Sequence, residues 1–397
     1  MKLLYIADIR LPTEKAHGLQ IMQNCEAFAQ TGADVTLWIP RRINTPELRA
    51  IRDVWRHYGT TRNFNLRRLF TLDLLPLVPG QGGKLAALAF YLQLGTFTLA
   101  AVLRALFTPA DVYYSRDAAV ILALSLVKPG RRLVYEAHRL NAGRAGRWMQ
   151  RQVTRRAGTV VAVTKKLADG LVERGAKPER VLVAHDGIRR ERFADLPSQA
   201  EARAALGWPG DAFIVGYVGR LQTLSMDKGV GTLIAALAQV AGASLGLVGG
   251  PDDMAEAFRA HWLALGLEVE RFLNAGQVAP ERVPLCLSAL DVCAMPFPWT
   301  THFAYYASPM KIFEYMASGR AIVASDLPST AEVVTHGESA LLTPPSDVAA
   351  LAAAIMWLRD DPALRERLAA QALHTVMTHY TWESRAAAIL AKVNEAR

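Results

Sequence analysis

Residues 213–220 read Phe-Ile-Val-Gly-Tyr-Val-Gly-Arg, an apolar run that closes on a glycine, Gly219, and a cation, Arg220. β-Branched and aromatic residues in so short a run predict a buried strand over 213–218, and the glycine predicts a tight turn into a helix. The same unit repeats outward in both directions. Strand-like runs fall at 3–7, 35–39, 112–115, 133–136, 160–163 and 181–184 before it, and at 244–248, 271–275, 292–295, 321–324 and 340–342 after it. Between them, apolar residues recur at helical spacing, as in Ile21, Cys25, Phe28 and Ala29, or Leu233, Ala236, Leu237 and Val240. Strands alternating with helices predict parallel sheets covered on both faces. Two such series, parted by the Pro- and Ala-containing stretch 193–211, predict an α/β protein of two doubly wound, Rossmann-like domains facing each other across a cleft. The expected boundaries are 1–200, 201–378 and a C-terminal helix over 379–397 that can pack back on the N-terminal domain.

A length of 397 residues fits two domains, and 51% hydrophobic with 20% charged residues gives each a core and excludes general disorder. Residues 1–200 hold 31 Lys and Arg against 16 Asp and Glu, a balance of +15, while residues 201–397 hold 14 against 20, or −6. A uniform basic coat for nucleic acid is thereby excluded. Cys25, Cys286 and Cys293 form no CxxC pair, which argues against a disulfide framework or zinc knuckle and for a reduced, cytosolic chain. Five mostly apolar residues between Lys2 and Asp8 are too few for a signal-peptide core. Residues 85–103 carry no charge and are flanked by Lys84 and Arg104, long enough to span a bilayer. Gln93, Gly95, Thr96 and Thr98, and the position between two α/β units, favour a buried or surface-docked helix instead.

Two clusters carry chemistry. The first is Gly216-Tyr-Val-Gly219-Arg220 with Asp227-Lys228-Gly229, where a glycine turn and two cations can hold a diphosphate or simply form an ordinary turn with solvated cations. GxxxxGK[ST] is absent, so a P-loop ATPase is not expected. The second is Ser308-Pro309-Met310-Lys311-Ile-Phe-Glu314-Tyr-Met-Ala-Ser-Gly319. Ser308 reads as an N-cap and Pro309 as a first-turn residue, which would turn the N–H groups of Met310 and Lys311 toward an anion. Glu314, one turn on, can accept from a ribose diol, or stand solvated on an amphipathic helix.

In this combination the chain resembles the GT-B retaining glycosyltransferases of family 4 (glycosyltransferase group 1). The resemblance also rests on Leu247-Val248-Gly249-Gly250, Gly276-Gln277-Val278 and Ala289-Leu290-Asp291-Val292, and it is dense over 213–345. It is thinner at His17-Gly18, Glu136-Ala137-His138 and His185-Asp186-Gly187. It implies transfer of a sugar from a nucleoside-diphosphate sugar to a hydroxyl of a glycan, lipid-linked saccharide or glycolipid, with retention, without a metal and without a further cofactor. Arg220 and Lys228 would hold the donor diphosphate, and Gly18 would cover it from the other domain. Gly219 and Gly250 would allow close approach, Gln277 and Val278 would meet the base, and Glu314 the ribose. Ser308, Met310 and Lys311 would line sugar and phosphate, and His138 would touch the donor sugar. Two departures stand out: Tyr306 occupies the first position of the family's Glu-x7-Glu pattern, and Arg220 and Lys228 lie farther apart than usual, with 222–226 forming a longer loop, a candidate lid. No DxD triplet occurs. An epimerase or phosphorylase-like enzyme of the same fold, or a non-catalytic nucleotide-sugar-binding subunit, are the alternatives.

The N-terminal half is expected to meet the acceptor. Arg144, Arg147, Arg151 and Arg155 fall along one helix face. A second basic region, 41–68, interleaves Trp55, Tyr58 and Phe64. With the uncharged 85–103 segment these features point to a peripheral face for anionic lipid on the inner side of a membrane, against a solvated surface or an anionic soluble acceptor.

Overall fold

All twelve expected strands form, each within one residue of its expected ends, because each is a short apolar run closed by Gly, Pro, Asp or a charged turn. The computed structural model describes residues 1–13, 15–78, 83–223, 226–306 and 310–396. The chain divides into two compact units: residues 1–186 with 382–397, and residues 187–381.

The first unit holds β1 (Lys2–Ile6), β2 (Asp34–Pro40), β3 (Asn65–Leu69), β4 (Val112–Ser115), β5 (Leu133–Ala137), β6 (Thr159–Ala162) and β7 (Val181–Val183). They form one parallel sheet in the order β3-β2-β1-β4-β5-β6-β7. Alternate residues face opposite layers. Leu4, Ile6, Tyr113 and Tyr135 pack beneath the helices Lys84–Leu106, Ala118–Leu124, Gly143–Arg156 and Lys165–Glu173. Tyr5 and Tyr114 instead stack at 4.7 Å, with Phe28 of the helix Ala16–Gln30 on Tyr114. That helix packs against Trp382–Glu395, the last helix of the chain.

β3 escaped the sequence reading. It is an edge strand, Asn-Leu-Arg-Arg-Leu, in which only Leu69 is buried, so charge masks its period. The aromatic residues of the 41–68 region also require correction. Tyr58 and Phe64 are buried, and the Tyr58 hydroxyl accepts from the Thr13 N–H (2.7 Å) and donates to its carbonyl (3.0 Å). They are core residues and not part of a lipid-facing belt.

The second unit holds β8 (Phe213–Val218), β9 (Gln222–Thr223), β10 (Met226–Asp227), β11 (Ala243–Val248), β12 (Phe272–Gly276), β13 (Val292–Met295), β14 (Ala321–Ser325) and β15 (Leu341–Thr343). The parallel sheet runs β12-β11-β8-β13-β14-β15, while β9 and β10 pair antiparallel as a small hairpin. The 222–226 loop is thus partly paired, and its Leu224 and Ser225 lie outside the described residues. In each sheet the first strand, β1 or β8, sits where the chain order reverses, and ligands of such sheets gather at the carboxyl ends beside that point.

Candidate functional site

In the second unit the carboxyl end of β8 is tied to its neighbours by backbone. The Gly219 N–H donates to the Val248 carbonyl (2.8 Å) and the Leu221 N–H to that of Gly250 (3.0 Å). Gly219 has φ 150°, a backbone conformation that demands glycine, and a Cβ there would stand 2.4 Å from the Lys311 Cε, which would have to move aside. The helix Met310–Ala317 is fixed to the same turn by buried Tyr315, whose hydroxyl accepts from the Val218 N–H (3.0 Å) and donates to the Val218 carbonyl (3.2 Å). Lys311 is thereby brought over Gly219. Ser308, the expected cap, lies outside the described residues, as does the Tyr306 side chain; the Tyr306 backbone belongs to a π-helical turn, His302–Tyr306.

Lys228 completes a group of cations with Arg220 and Lys311. Its ammonium lies 4.5 Å from the ring centre of Phe297 and 4.4 Å from that of Phe303, held by the negative faces of both rings. Burial, then repulsion from Lys311 and Arg220, brings the Lys228 pKa down from 10.5 to about 8. His302 is lowered by burial and by Lys228. Such crowding is costly without an anion and favourable with one.

A bound diphosphate would return the proton to Lys228, and the sign of the resulting pH dependence follows. Affinity for a diphosphate is expected to be flat from pH 7 to about 8 and to fall by about tenfold per unit above it, toward the ordinary 10.5. Titration calorimetry in buffers of different ionisation enthalpy should show proton uptake on binding above pH 8, and Lys228→Met should abolish it. A pH-independent affinity up to pH 10 would disprove the assignment.

Glu314 is half-buried and held at both oxygens, Oε2 by the Lys311 Nζ at 3.0 Å and Oε1 by the Arg192 Nη1 at 3.7 Å. Arg192 also donates to the Pro280 carbonyl (2.5 Å), which links Glu314 to the loop that follows β12. That loop carries exposed Gln277, whose Oε1 lies 3.2 Å from where a Cβ on Gly250 would stand, and half-buried Val278. Arg192 and the two phenylalanines were not anticipated. Arg192 sits in a linker-like stretch, and neither Phe297 nor Phe303 carries a charge or motif that marks it.

The remaining expected residues lie in the first unit. His138, just beyond β5, donates through Nε2 to Glu136 Oε1 (2.5 Å), and Arg116 Nη2 reaches its Nδ1 at 3.4 Å. Burial and the Arg116 charge lower its pKa, so the ring is neutral at pH 7 with its Nε2 proton fixed by a carboxylate. Glu136 is wholly buried; besides His138 it engages Arg116 (2.9 Å), Arg385 (3.2 Å), Asn24 (3.4 Å) and the Tyr114 hydroxyl. Burial pushes Glu136 up, but Arg385 and Arg116 outweigh it and hold the carboxyl well below the usual range. Asp186 accepts from Gln20 (2.9 Å), whose carbonyl accepts from Arg116 (3.4 Å). Gly18 is buried at the start of the helix Ala16–Gln30, where a Cβ would stand 2.5 Å from Thr13 Cγ2 and 2.7 Å from the Tyr58 hydroxyl. Arg144, Arg147, Arg151 and Arg155 are exposed on the helix Gly143–Arg156. Among the described residues no group of three His, Cys, Asp or Glu is placed to hold a metal ion.

Comparison with known proteins bears on both units. Residues 17–187 match the glycosyl transferase 4-like domain and residues 212–361 match glycosyl transferases group 1. A D-inositol 3-phosphate glycosyltransferase of Streptomyces bingchenggensis is 31% identical over 251 residues, 60% of this chain and 53% of the relative. A lipopolysaccharide core biosynthesis glycosyltransferase of Rhizobium meliloti, LpsD, is 31% identical over 236 residues, 56% of this chain and 60% of that protein. The chain spans about half the length of the curated relatives it matches. Among solved structures, HepE of Anabaena in complex with UDP superposes with a TM-score of 0.72 at 19% identity, covering 100% of both chains. Sucrose-phosphate synthase of Thermosynechococcus elongatus gives 0.71 at 21%, covering 100% of this chain and 99% of its own. With one half of the family matched in each unit, the chain belongs to the group 1 glycosyltransferases and has their GT-B fold.

Proposed function

We propose that this chain transfers a sugar from a UDP-sugar to a hydroxyl of a saccharide or lipid-linked acceptor, with retention at the anomeric carbon and without a metal. The observation that carries the reading is the convergence of Arg220, Lys228 and Lys311 on one strand end, the charge that a diphosphate needs. UDP is the base chosen because HepE, of the same fold, is described in complex with UDP and with UDP-glucose. A lipid-linked acceptor agrees with relatives named for lipopolysaccharide biosynthesis. Glu314 would accept the ribose hydroxyls, giving up part of its hold on Lys311, which then turns to phosphate. The three cations stabilise the charge that grows on the leaving diphosphate, in a site partly screened from water by Phe297 and Phe303. We assign the reaction to the cytoplasm, where nucleotide sugars are made.

The test pairs binding with turnover. UDP at about 100 times its dissociation constant should stabilise the chain by about 2.7 kcal/mol, ahead of GDP and dTDP. UDP release from a UDP-sugar should depend on acceptor, persist in EDTA, and yield a product whose anomeric configuration by NMR matches the donor. Release without acceptor, inversion, or loss in EDTA would each overturn the corresponding part.

A further inference from the structure

The helix Lys84–Leu106 exposes a broad apolar surface on the first unit. Its buried stripe, Ala89, Gln93, Phe97, Ala101 and Ala105, recurs at every fourth residue. Much of the remainder faces solvent: Leu85, Tyr91, Leu99 and Leu103 are each more than half exposed, and Phe107, just past its end, is 86% exposed. Beyond the neighbouring helix Ala118–Leu124, Leu126 is 77% exposed. Between the two helices runs a groove of ≈ 430 Å³, lined by Tyr91, Gly95, Leu99, Val102, Ala123 and Leu126 among others. Exposed apolar surface of this extent marks a binding face.

The helix is long enough to span a bilayer, with a mean hydropathy of 1.7 over its most apolar window and 28% of that window buried. Its anchoring argues against spanning. The Gln93 side chain donates to Asp8 Oδ1 (2.7 Å), the Thr71 hydroxyl donates to the Gln93 carbonyl (2.9 Å), and the Leu72 N–H donates to Thr96 Oγ1 (3.0 Å). Lifting the helix away would strand these groups and empty the place of Phe97. It lies along the surface.

Charge selects the occupant. Residues 74–110 and 118–135 contain no Asp or Glu, whereas Lys84 and Arg104, in the first and last turns of the long helix, and Lys128, just past the short one, lie within them. A pairing of two copies through this face would bring cations together with no carboxylate from either segment to neutralise them. An anionic lipid surface suits both the apolar floor and the cationic margins. We propose that the groove between these two helices is a lipid site: one alkyl chain of an anionic membrane lipid lies in it, while the flanking cations meet the headgroups. Its purpose, holding the chain where a lipid-linked acceptor is presented, rests on the function proposed above; its physics stands on the first unit alone.

The experiment uses the full chain with vesicles of phosphatidylcholine, with and without phosphatidylglycerol. The native chain should sediment with the anionic vesicles. Leu99→Glu with Leu126→Glu should weaken partitioning by at least about tenfold, whereas Leu263→Glu, on an exposed helix of the second unit, should not. All three native cysteines are buried, so Leu126→Cys can carry a single fluorophore, which mid-chain brominated lipids should quench. UDP stabilisation should survive in the double variant, reporting an intact fold and donor site. Unchanged sedimentation of the double variant, no binding of the native chain to either vesicle, or quenching only from the headgroup depth would overturn the proposal. So would a native dimer that the double variant dissociates without vesicles, since a second copy would then own the face. Failure of UDP to stabilise the native chain overturns the donor assignment instead and leaves the vesicle result standing.

Discussion

Lys228→Ala should lower turnover by about 10²–10³-fold, the usual cost of removing one preorganised group that stabilises transition-state charge. The effect should be near the top of that range because of where the ammonium sits. It is partly desolvated between Phe297 and Phe303, so its interaction with a diphosphate is less screened than that of a surface lysine. Its proton is also held less firmly than that of an ordinary lysine, with a pKa drawn down to about 8, so the ammonium gains when charge develops on the leaving group. The loss should appear in kcat more than in KM, since the leaving diphosphate carries more charge in the transition state than in the ground state. Phe303→Leu should reproduce a fraction of it with the lysine still present. Stopped assays of UDP release with saturating donor measure all of this. Turnover of Lys228→Ala within a few-fold of native would remove Lys228 from the chemistry.

For stability the largest effect is expected at Glu136. Replacing it with Ala leaves Arg116 and Arg385 buried without their shared carboxylate, and breaking a buried ion pair in this way costs about 3–5 kcal/mol. In a unit of this size that is a drop in Tm of roughly 6–20 °C, read by calorimetry as an early transition. Glu136→Ala combined with Arg385→Met should recover part of it, because the double replacement leaves fewer orphaned charges. The pH dependence has a definite sign. Glu136 has a depressed pKa in the folded state, so its contribution is complete above the ordinary 4.5 and is lost as pH falls below it toward the folded value. Native protein should therefore lose stability below pH 4.5 more steeply than Glu136→Ala. Equal acid sensitivity of the two would show that the carboxylate is not the hub.

The strands were readable because parallel strands buried on both faces are plain apolar runs, and 213–218 or 292–295 could hardly be anything else. β3 was not readable, since an edge strand with two arginines keeps only one inward residue. In the site, residues whose chemistry is local to a motif were legible: Gly219, Lys311 and Glu314 come together through one turn and one helix. What stayed hidden came from sequence-distant partners. Arg192 meets Glu314 from more than a hundred residues away, and Arg385 meets Glu136 from the far end of the chain. Pairings of that kind are fixed by topology, which a spacing rule does not contain. Redrawing the boundary to the two compact units leaves the charge division as it was, +15 against −6, because the segments exchanged balance.

The return of the last helix to the first unit has a consequence for biosynthesis. When residues 1–186 have left the ribosome, Glu136 and Asn24 still lack Arg385, and Phe28's helix lacks the partner that covers it. Residues 187–381, by contrast, are contiguous, so every segment of that unit has been synthesised before residue 382 is added. The order of maturation should therefore invert the order of translation, with the middle of the polypeptide consolidating before its beginning does. A nascent chain stalled before residue 382 is expected to present a protease-resistant second unit joined to a still-labile first one.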